Sequence, residues 1–225
     1  MTENMTGFSL LELFEMGGAI MWPLLVFSIA AVAIILERTI YLLYHNRNLD
    51  DLKELVEDGI RNNKLEETIK MLESKTQKRM GARVLLTLVK RAGLSEMRLE
   101  KAVEAEALTC ISLLENGFNF LTAIGTISPL TGFLGTVTGM IGAFRSIAEA
   151  SEVNAQIVAG GIYEALVTTV FGLIIAIVAM TAHSLFVNTV DKFASEVETV
   201  CSDLIITIGE CGIREKTIQQ NTSGN

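Results

Sequence analysis

Residues 157–187, IVAGGIYEALVTTVFGLIIAIVAMTAHSLFV, decide how this chain is to be read. The stretch is apolar and long enough to cross a bilayer, which takes roughly 20 residues at about 1.5 Å rise each. Yet Glu164 sits inside its leading half, and from there to Phe186 no other residue carries a formal charge. The one further titratable group over that length is His183. A carboxylic acid at membrane depth costs on the order of 2.5–3.5 kcal/mol on insertion scales. A facing partner, a water-filled cavity or protonation must offset that cost. Either Glu164 merely marks a helix end, with the span beginning at Ala165, or it is an ion- or proton-handling group. Idle charges are rarely kept at such depth, which favours the second reading.

Two more apolar runs flank the same pattern: residues 17–36, GGAIMWPLLVFSIAAVAIIL, and residues 121–144, LTAIGTISPLTGFLGTVTGMIGAF. Half of the 225 residues are hydrophobic, and they are blocked into these runs instead of being spread periodically. That is the pattern of a polytopic membrane protein. With only two prolines and almost no alternating apolar/polar segments, the spans read as helices and not as barrel strands. The expected class is therefore all-α, with three transmembrane helices, two of them long and extended into the cytoplasm.

Composition also excludes several functions. A net charge of −8 gives no support to nucleic-acid binding. Cys110, Cys201 and Cys211 have no CxxC or histidine-rich spacing, so reduced thiols and no metal site are expected. No nucleophile is paired with a base, and there is no phosphate loop or ligand cluster. Neither enzyme chemistry nor a cofactor is expected.

Charge sets the expected topology. Of the 18 Lys and Arg, 14 fall between Arg38 and Lys101, whereas the first 36 residues hold none. By the positive-inside rule the N-terminus is periplasmic, and residues 38–120 and the tail are cytoplasmic. An N-terminus without Lys or Arg also lacks the basic region of a signal peptide, so the first apolar run is expected to stay as a membrane helix. Trp22 and Pro23 at one end of it, and Tyr41 and Tyr44 past the other, fit interfacial belts. The division expected is residues 1–16 as a periplasmic or interfacial amphipathic segment, 17–44 as the first span and 45–120 as a cytoplasmic helical domain. The second span follows at 121–144, a periplasmic connector at 145–156, the third span at 157–187, and a cytoplasmic C-terminal helix and tail at 188–225.

Within 45–120, LDDLKELVEDGI and KLEETIKMLES read as amphipathic helices joined at Arg61-Asn62-Asn63, and ARVLLTLVKRA as a third that ends at Gly93. Ser95 looks like an N-cap with Glu96 in the first turn. From Ser95 the helical pattern continues into the second span without a loop, predicting one helix of roughly 50 residues, about 75 Å long. After the third span, Val190, Phe193, Val197, Val200, Leu204 and Thr207 or Ile208 recur at helical spacing and should pack against that extension.

In the second span Gly125, Ser128, Gly132, Gly135, Gly139 and Gly142 recur at alternating steps of three and four. This puts a continuous seam of small residues on one helical face, where neighbouring backbones can approach closely. Such a seam needs a surface to fill it, so self-assembly into a homo-oligomer is expected. Beside it, Thr122, Pro129, Thr136 and Ala143 repeat at seven. Thr136 either bonds back to its own helix or hydrates a pore, and spacing leaves both open.

Read together, GGAIMWPLLVFSIAAVAIILER, SPLTGFLGTVTGMIGAF and GGIYEALVTTVFGL resemble the MotA/TolQ/ExbB proton-channel family. Three spans, where MotA-type stators have four, favour the ExbB/TolQ branch. The resemblance implies a bacterial inner-membrane subunit, five copies of which surround a dimer of single-span partners of the ExbD/TolR type. Proton flow would then drive an energy transducer such as TonB or TolA. It also implies a proton path through Glu164, Thr136 and Thr169. Two positions depart from the family pattern: Val178 stands where a proline is usual, and His183-Ser184 where Tyr-Asn is usual. Alternatives are a flagellar- or gliding-type stator and a non-conducting membrane scaffold; H⁺ and Na⁺ both remain open as the ion carried.

The spacing qualifies one of those assignments. On a regular helix Thr168 lies about 40° from Glu164, whereas Thr169 lies about 140° away. Thr169 falls on the small face with Ala165, Gly172 and Ala176, which suggests helix contact. Either the pore wall includes both faces or Thr168 shares the hydroxyl role.

Overall fold

A computed structural model of the chain describes residues 14–44, 49–149 and 155–211. The amphipathic segment expected at 1–16 lies outside the described residues except for its last three, and the end of the tail lies outside them altogether. Every regular element described is helical. A 3₁₀ turn, Gly18–Ile20, leads into α1 (Met21–Tyr44), followed by α2 (Asp50–Arg61), α3 (Leu65–Lys75), α4 (Met80–Lys90), α5 (Glu96–Glu115), α6 (Phe118–Glu149) and α7 (Ala155–Glu210). Three helical stretches are long and apolar enough to cross a membrane: Gly18–Tyr44, Phe118–Glu149 and Ala159–Glu210. The protein is thus an all-α, polytopic membrane protein.

One expectation is corrected. The second long helix does not run unbroken from Ser95 into the membrane, because α5 stops at Glu115 and α6 starts at Phe118. Between them Asn116 is extended (φ −54°, ψ 132°) and Gly117 takes a φ of +87°, a conformation open cheaply only to glycine. The Asn-Gly pair was the signal, a turn dipeptide outweighed by the helical periodicity on either side. Ser95 does occupy the N-cap position with an extended backbone, but its side chain makes no capping bond. At the other end, α6 continues to Glu149 and α7 begins at Ala155.

The chain divides into two compact units, Met1–Arg38 with Gly117–Leu185, and Thr39–Asn116 with Phe186–Asn225. In the second unit α4 lies against α2, α3 and α5. It buries Met80, Ala82, Val84, Leu85, Leu88 and Val89, so most of its faces are apolar. Between α2 and α3 the chain turns through Asn63 at φ +56°, with Lys64 N–H donating to Gly59 O at 2.9 Å and Asn63 N–H to Ile60 O at 3.3 Å. This is the glycine-type helix stop filled by asparagine, whose short amide tolerates the left-handed region. The apolar stripe on the last part of α7 is buried at Val190, Phe193, Val197, Val200, Leu204 and Ile208. Two polar contacts tie that part to the start of α2: Leu49 N–H donates to Glu196 Oε1 at 3.0 Å, and Lys53 pairs with Asp203 at 2.6 Å.

The thiol of Cys110, in this same core, is pushed up to about 11 by burial, so it stays protonated and inert near neutrality. Asp51 behaves oppositely. Arg79 donates Nη1 to its Oδ2 at 2.7 Å and Nη2 to its Oδ1 at 3.1 Å, and this pairing holds the carboxyl at about 2, below its usual 3.8. A carboxyl whose folded pKa is depressed adds stability above the unfolded value and loses it as pH falls through the folded one. Melting of Asp51→Asn in detergent should therefore fall below wild type at pH 5 and converge with it between pH 3.8 and about 2. Because Asp51 is exposed to solvent, the difference at pH 5 should stay under about 1 kcal/mol.

Candidate functional site

The first unit is built on a crossing of α6 and the leading half of α7, and glycines decide how close it is. A Cβ on Gly132 would lie 2.8 Å from Thr168 O and 3.4 Å from Gly172 Cα. A Cβ on Gly172 would lie 2.6 Å from Ser128 O and 3.1 Å from Gly132 Cα. These obstacles are backbone atoms, which cannot rotate away. Further along, a Cβ on Gly139 would lie 3.1 Å from Gly161 O, and one on Gly161 would lie 2.6 Å from Ala143 Cβ. Gly125 faces the Met180 thioether and Gly135 faces the Thr168 side chain, both of which are side chains and not backbone. The contacts run in opposite directions along the two helices, so the crossing is antiparallel.

The stripe on α6 therefore lies against α7 of the same chain from Gly125 to Gly139, while Gly142 has open space around it. This removes the spacing argument for self-assembly, because a facing surface already exists within the protomer. The hydroxyl of Ser128 is fully buried in this contact and has no hydrogen-bond partner among the described residues.

Of the polar residues of interest, Thr168 and Thr169 meet at the crossing. Thr168 is buried, and its Oγ1 donates to Ala165 O at 2.8 Å in its own helix and lies 3.3 Å from Gly132 O. Thr169 Oγ1 donates to the same Gly132 oxygen at 3.0 Å. Both neighbours thus reach α6, despite pointing about 100° apart around α7. Thr136 Oγ1 donates to Phe133 O at 2.6 Å, within its own helix. Glu164 is half-buried, and among the described residues it accepts no hydrogen bond and forms no ion pair. Its carboxyl lies against Gly18, where a Cβ would collide with Oε1. His183, at the far end of the span, meets Phe118 edge-on with ring centroids 6.1 Å apart. No group of three or more His, Cys, Asp or Glu able to hold a metal occurs among the described residues.

Sequence reasoning missed the two glycines that begin the first span. Gly17 is buried, and a Cβ there would come 3.5 Å from Thr168 Cγ2; Gly18 has a φ of +63° and abuts Glu164. It also passed over Gly161 as the counterpart of Gly139. A second stripe of small residues on the third span, Gly161, Ala165, Gly172, Ala176 and Ala179, carried that signal.

With this geometry in hand, comparison with known proteins is decisive. Residues 46–199 match the MotA/TolQ/ExbB proton channel family. The chain belongs to that family. Within it, similarity falls on the ExbB/TolQ branch. The chain is 35% identical over 176 residues to biopolymer transport protein ExbB-like 3 of Synechocystis sp., covering 76% of this chain and 81% of that one. It is 33% identical over 109 residues to biopolymer transport protein ExbB of Salmonella typhimurium, covering 48% and 43% of the two chains. It is 41% identical over 85 residues to Tol-Pal system protein TolQ of Haemophilus influenzae, covering 36% and 37%. The alignments to these last two relatives thus span less than half of their length. The protein is a membrane member of a proton-channel family whose ExbB and TolQ relatives serve biopolymer transport and the Tol-Pal system.

Proposed function

We propose that this chain is a non-enzymatic subunit of a bacterial inner-membrane proton channel that couples the proton motive force to envelope work. The observation that carries the reading is Glu164: one carboxyl in a helix otherwise free of charge through Phe186, half-buried and without an ionic partner among the described residues. An intramembrane carboxyl with no cation beside it is the kind of group that marks an ion or proton pathway. Thr168 lies one turn along, about 40° round the helix from Glu164, and family resemblance adds Thr169 and Thr136, so the proposed path runs through these four residues. Family resemblance supplies the rest of the reading: a homopentamer around an ExbD/TolR-like single-span partner, acting on a TonB- or TolA-like transducer. The charge distribution supports a periplasmic N-terminus and a cytoplasmic C-terminus. Each proton falling through about 100 mV releases about 2.3 kcal/mol, so a mechanical step of useful size takes several. Proton flux into liposomes holding the protein with its single-span partner tests the reading, and flux independent of Glu164 would end it.

A further inference from the structure

We infer that Gly18 is a positioning residue for the Glu164 carboxyl: the first segment holds that group against its own backbone and so sets how far it can reach. The inference rests on the proton-relay reading of Glu164 and adds a second part to it. Two independent features of Gly18 converge. Its φ of +63° is one that L side chains rarely adopt, and the site a Cβ would take is already filled by Glu164 Oε1, with Cδ at 3.1 Å and Cγ at 3.8 Å. The whole outer half of the glutamate side chain thus lies along this one residue. The turn is not free to retreat, because Gly18–Ile20 also packs against α6. Gly17 closes the same side over Thr168, with Met21 folded against it. Glu164 is half-buried, and Gly18 lies against its carboxyl. A larger residue at position 18 would drive the carboxyl away from the turn.

The test separates displacement of the carboxyl from simple backbone strain. Asparagine tolerates the left-handed region, so Gly18→Asn keeps the turn while placing a Cβ where Oε1 lies. The readout is the rate at which a hydrophobic carbodiimide modifies residue 164 in detergent-solubilised protein, followed by mass spectrometry across a pH series. Gly18→Asn should speed modification at least about fivefold, within the range of couplings seen between groups in contact. Gly160→Ala, one turn from Glu164 with nothing within 4 Å of the added Cβ, should leave the rate unchanged. Glu164→Asp withdraws the carboxyl by one methylene, so Gly18→Asn in that background should have almost no effect. A rate unaltered by Gly18→Asn, or equal acceleration with and without the Glu164→Asp substitution, would overturn the inference. Flux is not part of this readout, so a failed proton-relay reading and a failed positioning role give different results.

Discussion

Glu164→Gln should abolish proton flux while leaving the complex assembled. The substitution keeps size and hydrogen-bonding capacity and removes only titration. Glutamine is no harder to bury than a carboxylate, so the α6–α7 crossing should survive, neutral or slightly stabilised. Glu164→Asp keeps an acid one methylene further back and should retain partial flux. Thr136→Ala should lie nearer to wild type, because its hydroxyl is held by Phe133 O in its own helix and water can bridge the gap it leaves. Assembly is checked by native mass spectrometry on the same preparations. Wild-type flux from intact Glu164→Gln complexes would leave only a scaffold role.

The second large effect is expected at Gly132. A leucine there must enter space held by Thr168 O and the Cα atoms of Thr169 and Gly172, all backbone. The crossing can admit it only by moving the helices apart, which also breaks the bonds from Thr168 and Thr169 to Gly132 O. Overpacking of this kind costs typically about 1–3 kcal/mol, and the lost hydroxyl bonds add about 1 kcal/mol more. Gly132→Leu should therefore lower thermal stability of the protomer strongly. Gly125→Ala should cost far less, since Met180 can swing aside, and Gly142→Ala should be neutral because its surroundings are open. Equal stability losses at Gly132 and Gly142 would contradict the described crossing.

The helical class and the three spans were legible because they depend on blocked hydrophobicity, which needs no partner to be read. Glu164 stood out for the same reason, as a single charge against an apolar background. What escaped the sequence depends on tertiary partners. The glycines of α6 announced a close approach without naming the surface, and Gly161 and Gly172 on the third span answer it. Gly17 and Gly18 looked like the plain start of a span, because a positive φ leaves no mark on composition. Asn116-Gly117 was read through because helical periodicity on both sides outweighed a two-residue signal.

The two threonines bonded to Gly132 O have a mechanical consequence. Contacts between methyl groups and glycine backbones change little when helices slide by a fraction of an ångström, so an apolar crossing has a soft register. Hydrogen bonds are directional and fail over that same distance. With both hydroxyls converging on a single oxygen, a shift of α7 by even one residue, about 1.5 Å, would break both together. The crossing thus behaves as a pinned joint, and α6 and the leading half of α7 move as one stiff piece. Within the protomer, movement of the Glu164 carboxyl is then left to rotation about its own side-chain bonds and to the segment that begins at Gly17.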